Sequence, residues 1–118
     1  MAVKILSVDD ELDLEVLLTQ YFRRQIRKGE YEFAFAHNGL EALQKLLETP
    51  DFDIILSDIN MPEMNGFQML ERMNKFHWID EIPVIMISSE EKRDIIERAY
   101  ILGAEDYIRR PFDAFIVR

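Results

Sequence analysis

FDIILSDINMPEMNG, residues 52–66, is the stretch of the chain that decides its fold. It begins with a short apolar run at residues 54–56, which is typical of a strand buried on both faces of a sheet. The run stops at the carboxylate of Asp58, and Pro62 and Gly66 predict a loop directly afterwards. The sequence therefore places one acid at the C-terminal tip of a central strand, which is the edge where open α/β sheets bind ligands.

Strands and amphipathic helices alternate on both sides of this central strand. Four further segments have the composition of strands, namely residues 3–8, 31–36, 84–87 and 106–108. Apolar residues at helical spacing predict the helices between them: Leu14, Leu17, Leu18, Tyr21 and Phe22, ended by Gly29; Leu40, Ala42, Leu43, Leu46 and Leu47; Phe67, Leu70 and Met73; and Ile95, Ile96, Ala99 and Leu102. The repeated strand–helix pattern predicts an α/β fold, a doubly wound, flavodoxin-like three-layer sandwich whose parallel sheet has the order 2-1-3-4-5, with residues 31–36 as an edge strand.

The chain continues only briefly after the fifth strand. Arg110, Pro111 and Phe112 end that strand, and residues 113–118 begin a last helical segment. Those residues span only about 9 Å at helical rise, which is less than a crossover helix normally needs to cover a sheet face. We therefore expect residues 1–118 to form one domain that is cut inside its last helix and comes from a larger multidomain protein.

The composition argues against several classes of function. The chain has no cysteine, and its two histidines, His37 and His77, lie far apart in sequence, so neither a thiolate site nor a histidine metal cluster is expected. The formal net charge of −9 argues against nucleic-acid binding, which needs a basic surface. No apolar run approaches the ~20 residues that span a bilayer, and the N-terminus lacks a signal-peptide pattern. We expect a cytoplasmic domain without direct contact to nucleic acid or membrane.

Polar residues converge at the carboxyl edge of the predicted sheet. Asp9 and Asp10 end the first strand and Asp58 ends the third. Ser88 ends the fourth strand, and Arg110 closely follows the fifth. Clustered carboxylates repel one another unless a cation joins them, and Mg²⁺ typically takes one or two carboxylates with waters and phosphate oxygens. A carboxylate is also a nucleophile towards phosphoryl groups, whose charge a metal ion, a cation and a hydroxyl can stabilise.

Each of these residues also has a purely structural explanation. Asp9 or Asp10 could cap the first helix, and Ser88 or Ser89 could cap the fourth. Arg110 could simply point to solvent. Because several strand ends would then have to agree by accident, we favour a shared phosphoryl site over independent structural roles.

The same motifs resemble those of CheY-like receiver domains of two-component response regulators, and the resemblance covers essentially the whole chain. It rests on residues 8–11 (VDDE), on Ser57-Asp58 through Met61-Pro62 to Asn65-Gly66, on residues 87–89 (ISS), and on Gly103-Ala104 followed by residues 106–108 (DYI) and Pro111-Phe112. The combination is highly specific, whereas any one of these motifs alone is weak.

The resemblance implies a phosphorylation site that depends on a metal ion. Asp58 is implied to accept a phosphoryl group from a sensor histidine kinase or a histidine phosphotransfer protein. Asp9 and Asp10 are implied to hold Mg²⁺ together with Asp58 and the backbone carbonyl of Asn60. The domain is then a phosphoacceptor with at most slow autodephosphorylation, and not an enzyme.

The resemblance also implies how the signal leaves the site. Ser88 and Arg110 contact the phosphoryl group, Ser88 and Tyr107 act as the switch, and Asn60 and Glu90 tune the rate of autodephosphorylation. As a structural alternative, Tyr107 is an ordinary strand aromatic and Glu90 an acid in the first turn of the fourth helix. Phosphorylation is expected to favour one conformation of the face made by the fourth helix, the fifth strand and the fifth helix, which passes the signal to an output domain, an effector or a second copy of the chain.

One position departs from the family pattern and keeps two alternatives open. The family usually has lysine directly before Pro-Phe, whereas this chain has Arg110, preceded by Arg109. Arginine keeps the charge but is planar, forked and bulkier, so it either holds the phosphoryl group with two hydrogen bonds or misses the lysine's position. A degenerate receiver that only binds proteins is therefore one alternative. A phosphotransferase or phosphohydrolase with turnover is the other, although such enzymes usually have an acid where this chain has Asn60.

Overall fold

The computed structural model describes residues 2–109, which form one parallel sheet with helices on both faces. The strands are β1 (Val3–Val8), β2 (Tyr31–Ala36), β3 (Ile54–Ser57), β4 (Val84–Ser88) and β5 (Asp106–Arg109). The helices are α1 (Leu12–Tyr21), α2 (Arg23–Arg27), α3 (Gly39–Glu48), α4 (Gly66–Lys75) and α5 (Arg93–Ile101), with a 3₁₀ turn at Trp78–Asp80. The sheet order is β2-β1-β3-β4-β5 and all neighbours are parallel. This confirms the predicted order and the edge position of β2.

The main core lies between one face of the sheet and the helices that pack on it. Alternate residues of β1, β3 and β4 point into it because side chains alternate along a strand. Its fully buried members include Leu6, Val8, Ile55, Val84 and Met86 from the strands and Leu46, Met69, Leu70 and Met73 from α3 and α4. Burial of one such side chain stabilises the fold by about 1.5–3 kcal/mol, so this face holds the central strands firmly in register.

The opposite face of the sheet is covered less completely by the described residues. Ile55 is fully buried, but Ile54 and Leu56 are only half-buried, so the prediction that residues 54–56 are buried on both faces holds for one face only. Ile54 and Leu56 line an apolar groove of about 300 Å³ that also contacts Leu18 of α1 and Ile87 of β4.

The predicted first helix is divided into two, which corrects the expectation of one continuous helix up to Gly29. The division falls at Phe22, whose backbone angles of −102° and 22° lie outside the helical region. Its ring centroid lies 5.5 Å from that of Tyr31 and 5.9 Å from that of Phe33 on the edge strand. Phe22 still donates to the Leu18 carbonyl, so the aromatic contacts are gained with little loss of backbone hydrogen bonding.

The predicted helix faces are buried to different extents. Phe67, Leu70 and Met73 of α4 are all buried, as their spacing predicts. In α3, by contrast, Leu40 and Leu47 remain 44% and 72% exposed, so they are not part of the core.

Part of the expected C-terminal structure lies outside the described residues. Arg110, Pro111 and the predicted last helix at residues 113–118 belong to this part of the chain. Within residues 2–109, no helix is both long enough and apolar enough to cross a bilayer.

Candidate functional site

Three carboxylates meet at the carboxyl edge of the sheet. Asp9 follows β1 and Asp58 follows β3, and these strands are direct neighbours in which Val8 is paired with Ser57. One carboxylate oxygen from each of Asp9, Asp10 and Asp58 lies within 4.8 Å of the others. Asp9 and Asp58 are only 5% and 9% exposed, whereas Asp10 is exposed. The predicted convergence of these three residues is therefore confirmed.

Backbone hydrogen bonds hold the two buried carboxylates in place. Oδ1 of Asp9 accepts from the backbone N–H of Glu11 at 2.8 Å, and Oδ1 of Asp58 accepts from the backbone N–H of Ile59 at 2.7 Å. The N-cap of α1 is Glu11 itself, and no side chain caps that helix. Asp9 and Asp10 thus do not serve as the cap of the first helix. Their carboxylates lie close to that of Asp58 instead.

The loop after Asp58 is anchored at both ends. Gly66 donates its N–H to the Ile59 carbonyl at 2.8 Å, and the Asn65 and Gln68 side chains form a capping box at the start of α4. Further along the sheet edge, the N–H of Gly39 donates to the Met64 carbonyl at 2.9 Å. This contact was not predictable from the sequence, because it joins α3 to a loop that lies far away in the chain.

Ser88, Tyr107 and Glu90 lie together beside the acidic cluster. Ser88 is buried, and its Oγ accepts from the backbone N–H of Glu90 at 3.2 Å. The Tyr107 hydroxyl donates to the backbone carbonyl of Glu90 at 3.1 Å. Because α5 begins only at Arg93, the alternative that Glu90 lies in the first turn of that helix is wrong. Ser88 and Ser89 likewise do not cap the helix, whose N-cap is Lys92.

The environment of Tyr107 raises the pKa of its hydroxyl above the ordinary tyrosine value. The largest cause is burial, and the negative charges of Glu90 and Asp58 act in the same direction, while the hydroxyl of Ser88 opposes them. The uncharged phenol is therefore the form that this part of the site favours.

We expect the absorbance change of Tyr107 ionisation, obtained by subtracting the titration of Tyr107→Phe from that of the wild type, to have its midpoint above the ordinary value of about 10. Because the folded state holds the Tyr107 proton more tightly than the unfolded state does, this proton stabilises the fold. The contribution is fully present below the unfolded pKa of the tyrosine and is lost as the pH rises through the folded pKa. A difference midpoint at or below the ordinary value contradicts the prediction. Tyr100 serves as a comparison, because burial and Asp106 raise its pKa in the same direction.

The structure does not place every predicted site residue. Arg110 lies outside the described residues, so its predicted contact with the phosphoryl group stays a prediction. Asn60 is exposed directly after Ile59. The side chain of Arg109 forms an ion pair with Glu91, with Nη2 2.5 Å from Oε1, and this pair was not predicted from the sequence.

The acidic cluster has the donor set of a Mg²⁺ site. Carboxylate oxygens are hard ligands that suit this ion, and the exposed position of Asp10 leaves one side of the cluster accessible to water. Such an arrangement of aspartates is typical of the magnesium site of receiver domains. The residues present therefore fit the ion.

Comparisons of the sequence identify the family of the chain. The model of the response regulator receiver domain matches residues 5–115. A probable transcriptional regulator, ycf29 of Pyropia yezoensis, is 33% identical over 113 residues, which cover 96% of this chain and 49% of the relative, so the chain spans about half the length of that protein. The chemotaxis protein CheY1 of Helicobacter pylori strain J99 is 30% identical over 116 residues, covering 98% of this chain and 91% of the relative.

Solved structures of similar chains have the same fold. The chemotaxis protein CheY4 of Vibrio cholerae superimposes with a TM-score of 0.84 at 26% identity, covering 99% of this chain and 93% of that chain. The CheX–CheY–BeF3–Mg complex of Borrelia burgdorferi gives a TM-score of 0.83 at 32% identity, covering 97% and 82%. This chain belongs to the response regulator receiver domains of two-component signalling, which are phosphoacceptor modules and not catalytic enzymes.

Proposed function

We propose that the domain is a phosphorylation-controlled signalling switch in which Asp58 is the phosphoacceptor. The observation that carries this proposal is the position of Asp58, a nearly buried carboxylate at a strand end with two other acids within 4.8 Å. The donor is a sensor histidine kinase or a histidine phosphotransfer protein, and the compartment is the cytoplasm. The interaction of receiver domains with kinases or phosphatases supports this choice of partner.

The proposed transfer makes Asp58 the nucleophile. One of its carboxylate oxygens attacks the phosphorus of a phosphohistidine, and the P–N bond breaks as a new P–O bond forms. The electrons of the broken bond return to the imidazole ring, which takes up a proton. Because Oδ1 of Asp58 already accepts a hydrogen bond from Ile59, we assign the attack to Oδ2.

The neighbouring residues hold the charges of this reaction. Asp9, Asp10, Asp58 and the backbone carbonyl of Asn60 form the Mg²⁺ site of the proposal. When bound, Mg²⁺ supplies positive charge that offsets the charge of the phosphoryl oxygens. The proposal assigns the contact with the same oxygens to Arg110, which directly follows β5 in the sequence.

Ser88 and Tyr107 are the proposed switch. The Ser88 hydroxyl turns towards the phosphoryl oxygens and donates a hydrogen bond to them, which ends its contact with the N–H of Glu90. Tyr107 then leaves the Glu90 carbonyl and moves inward behind Ser88. Since both residues hold the segment before α5, their movement changes the surface of α5 and β5 that an effector, an output domain or a second copy reads. Asn60 and Glu90, beside the site, tune how fast the phosphoryl group is lost.

The proposal is tested by the intact mass of the chain after incubation with acetyl phosphate and Mg²⁺. We expect the addition of one phosphoryl group, which is absent for Asp58→Asn and when the metal is chelated. Asp53→Asn is a matched control, because it removes the same charge at the opposite edge of the sheet. Lack of labelling in a folded wild-type chain contradicts the proposal.

A second candidate function is a protein-binding receiver that is never phosphorylated, and the arginine at position 110 is the observation that favours it. If the wild type is not labelled but Arg110→Lys is, the arginine alone impairs the transfer. If neither chain is labelled, the binding module is the better description.

A further inference from the structure

Four cations are concentrated in a short segment of an otherwise acidic chain. Arg23, Arg24, Arg27 and Lys28 lie in and directly after α2, although the chain carries 23 acidic residues against 14 basic ones. All four are exposed, and no ion pair between described residues involves any of them. Cations suit the last turn of a helix, but Arg23 is the first residue of α2, where the helix dipole disfavours a positive charge. Helix stability therefore accounts for the cations in the last turn but not for Arg23.

The division between α1 and α2 forms a hollow beside these cations. The hollow has a volume of about 540 Å³, and Arg23 and Arg24 line it together with Tyr21, Phe22 and Tyr31. The ring of Phe22 packs edge-on against both tyrosine rings, with centroids 5.1 and 5.5 Å apart. The hollow thus has an aromatic wall and is lined by two arginines. It lies at the N-terminal end of β2, whereas Asp58 follows the C-terminal end of β3.

We propose that this hollow binds an acidic peptide segment of a partner protein, with an apolar side chain against the aromatic wall and carboxylates paired to Arg23 and Arg24. Guanidinium groups form charge-assisted, two-pronged hydrogen bonds with carboxylates, and tyrosine and arginine are enriched at protein interfaces. The net charge of −9 repels duplex nucleic acid and anionic membranes at long range. A short acidic peptide experiences much less of that repulsion, because it carries few charges. Those charges contact the cluster directly.

Binding is tested by fluorescence anisotropy with a short labelled peptide in which glutamates flank a phenylalanine. We expect saturable binding at low salt that weakens as salt screens the charges. Arg23→Gln/Arg24→Gln is expected to lower the affinity by about tenfold or more, since it removes the charged hydrogen-bond donors that pair with the peptide's carboxylates. The same peptide with serine in place of phenylalanine is expected to bind more weakly.

Arg72→Gln/Lys75→Gln is the matched control, because it removes two exposed cations from the end of α4 and changes the net charge equally. The proposal is overturned if the peptide does not bind, if this control loses as much affinity, or if a DNA duplex or anionic vesicles bind more tightly than the peptide. Self-association in sedimentation that Arg23→Gln/Arg24→Gln abolishes would instead identify a second copy as the occupant and also overturn it. Labelling of Arg23→Gln/Arg24→Gln by acetyl phosphate is expected to stay normal, which separates this surface from the phosphorylation site.

Discussion

Replacement of Gly66 by alanine is expected to lower the free energy of unfolding by about 3 kcal/mol or more. A Cβ atom at this position would lie 2.4 Å from the carbonyl oxygen of Asp58, 2.8 Å from Cε of Met86 and 3.0 Å from Cα of Ile59. The methionine can move, but the other two atoms belong to the backbone of Asp58 and Ile59. The variant therefore has to displace either α4 or the end of β3.

The sign of the change in the free energy of unfolding shows whether packing or helix propensity dominates at Gly66. Gly66 is the first residue of α4, and alanine is favoured over glycine in helices by about 1 kcal/mol. Propensity alone would therefore make Gly66→Ala neutral or stabilising, whereas the close approach to Asp58 makes it strongly destabilising. Urea unfolding followed by circular dichroism measures the difference.

Gly29→Ala is the control for this experiment. Gly29 has a φ of +75°, so alanine there is strained by about 1–2 kcal/mol, but nothing lies within 4 Å of its Cβ position. We expect Gly29→Ala to be the milder change and to leave acetyl phosphate labelling of Asp58 intact. If Gly66→Ala unfolds at the same urea concentration as the wild type, α4 does not approach the Asp58 backbone as closely as described.

The order of the strands and the position of the three acids were predictable because both depend on local sequence and on parallel topology. The apolar run at residues 54–56 identifies a central strand, and strand–helix alternation makes all strands parallel. Acids that directly follow neighbouring parallel strands then have to meet at one edge, as Asp9 and Asp58 do.

Features that depend on distant contacts were not predictable in the same way. The apolar spacing of α1 continues through Phe22 and gives no sign of a division, which coincides with ring contacts from Phe22 to Tyr31 and Phe33 on β2. Leu40 and Leu47 fit the helical period of α3, yet the sheet does not reach them. Periodicity locates an apolar face, but it does not indicate how much of that face the rest of the fold covers.

The start of α5 was misjudged for a different reason. Ser88 and Ser89 are favourable cap residues, whereas the helix begins after Lys92 without a side-chain cap. The hydroxyl of Ser88 and the carbonyl of Glu90 are instead engaged with the segment before the helix and with Tyr107. The cap preference of the two serines therefore did not locate the start of the helix, because the Ser88 hydroxyl is used by the segment before it.

Asp9→Asn is expected to weaken the response of the domain to Mg²⁺ without lowering its stability in the absence of the ion. The asparagine oxygen can still accept the hydrogen bond from Glu11, so the turn after β1 is retained. Without Mg²⁺ the variant should be at least as stable as the wild type, because one of three mutually repelling carboxylates within 4.8 Å is removed. A pair of unit charges about 5 Å apart repels by up to ~3 kcal/mol at an effective dielectric constant of 20, and exposure of Asp10 reduces its share.

With Mg²⁺ the wild type is expected to gain about 2 kcal/mol more stability than the variant. An ion at 100 times its dissociation constant stabilises the wild type by about 2.7 kcal/mol, whereas loss of a charged ligand should weaken binding on the order of 100-fold and remove most of this gain. Thermal unfolding of both chains with and without Mg²⁺ measures the two gains. Asp53→Asn carries the same change in net charge at the opposite edge of the sheet, so it should keep the full response to the ion. Equal gains for Asp9→Asn and the wild type would mean that Asp9 does not hold the ion, and the metal site would then have to be assigned to Asp10 and Asp58 alone.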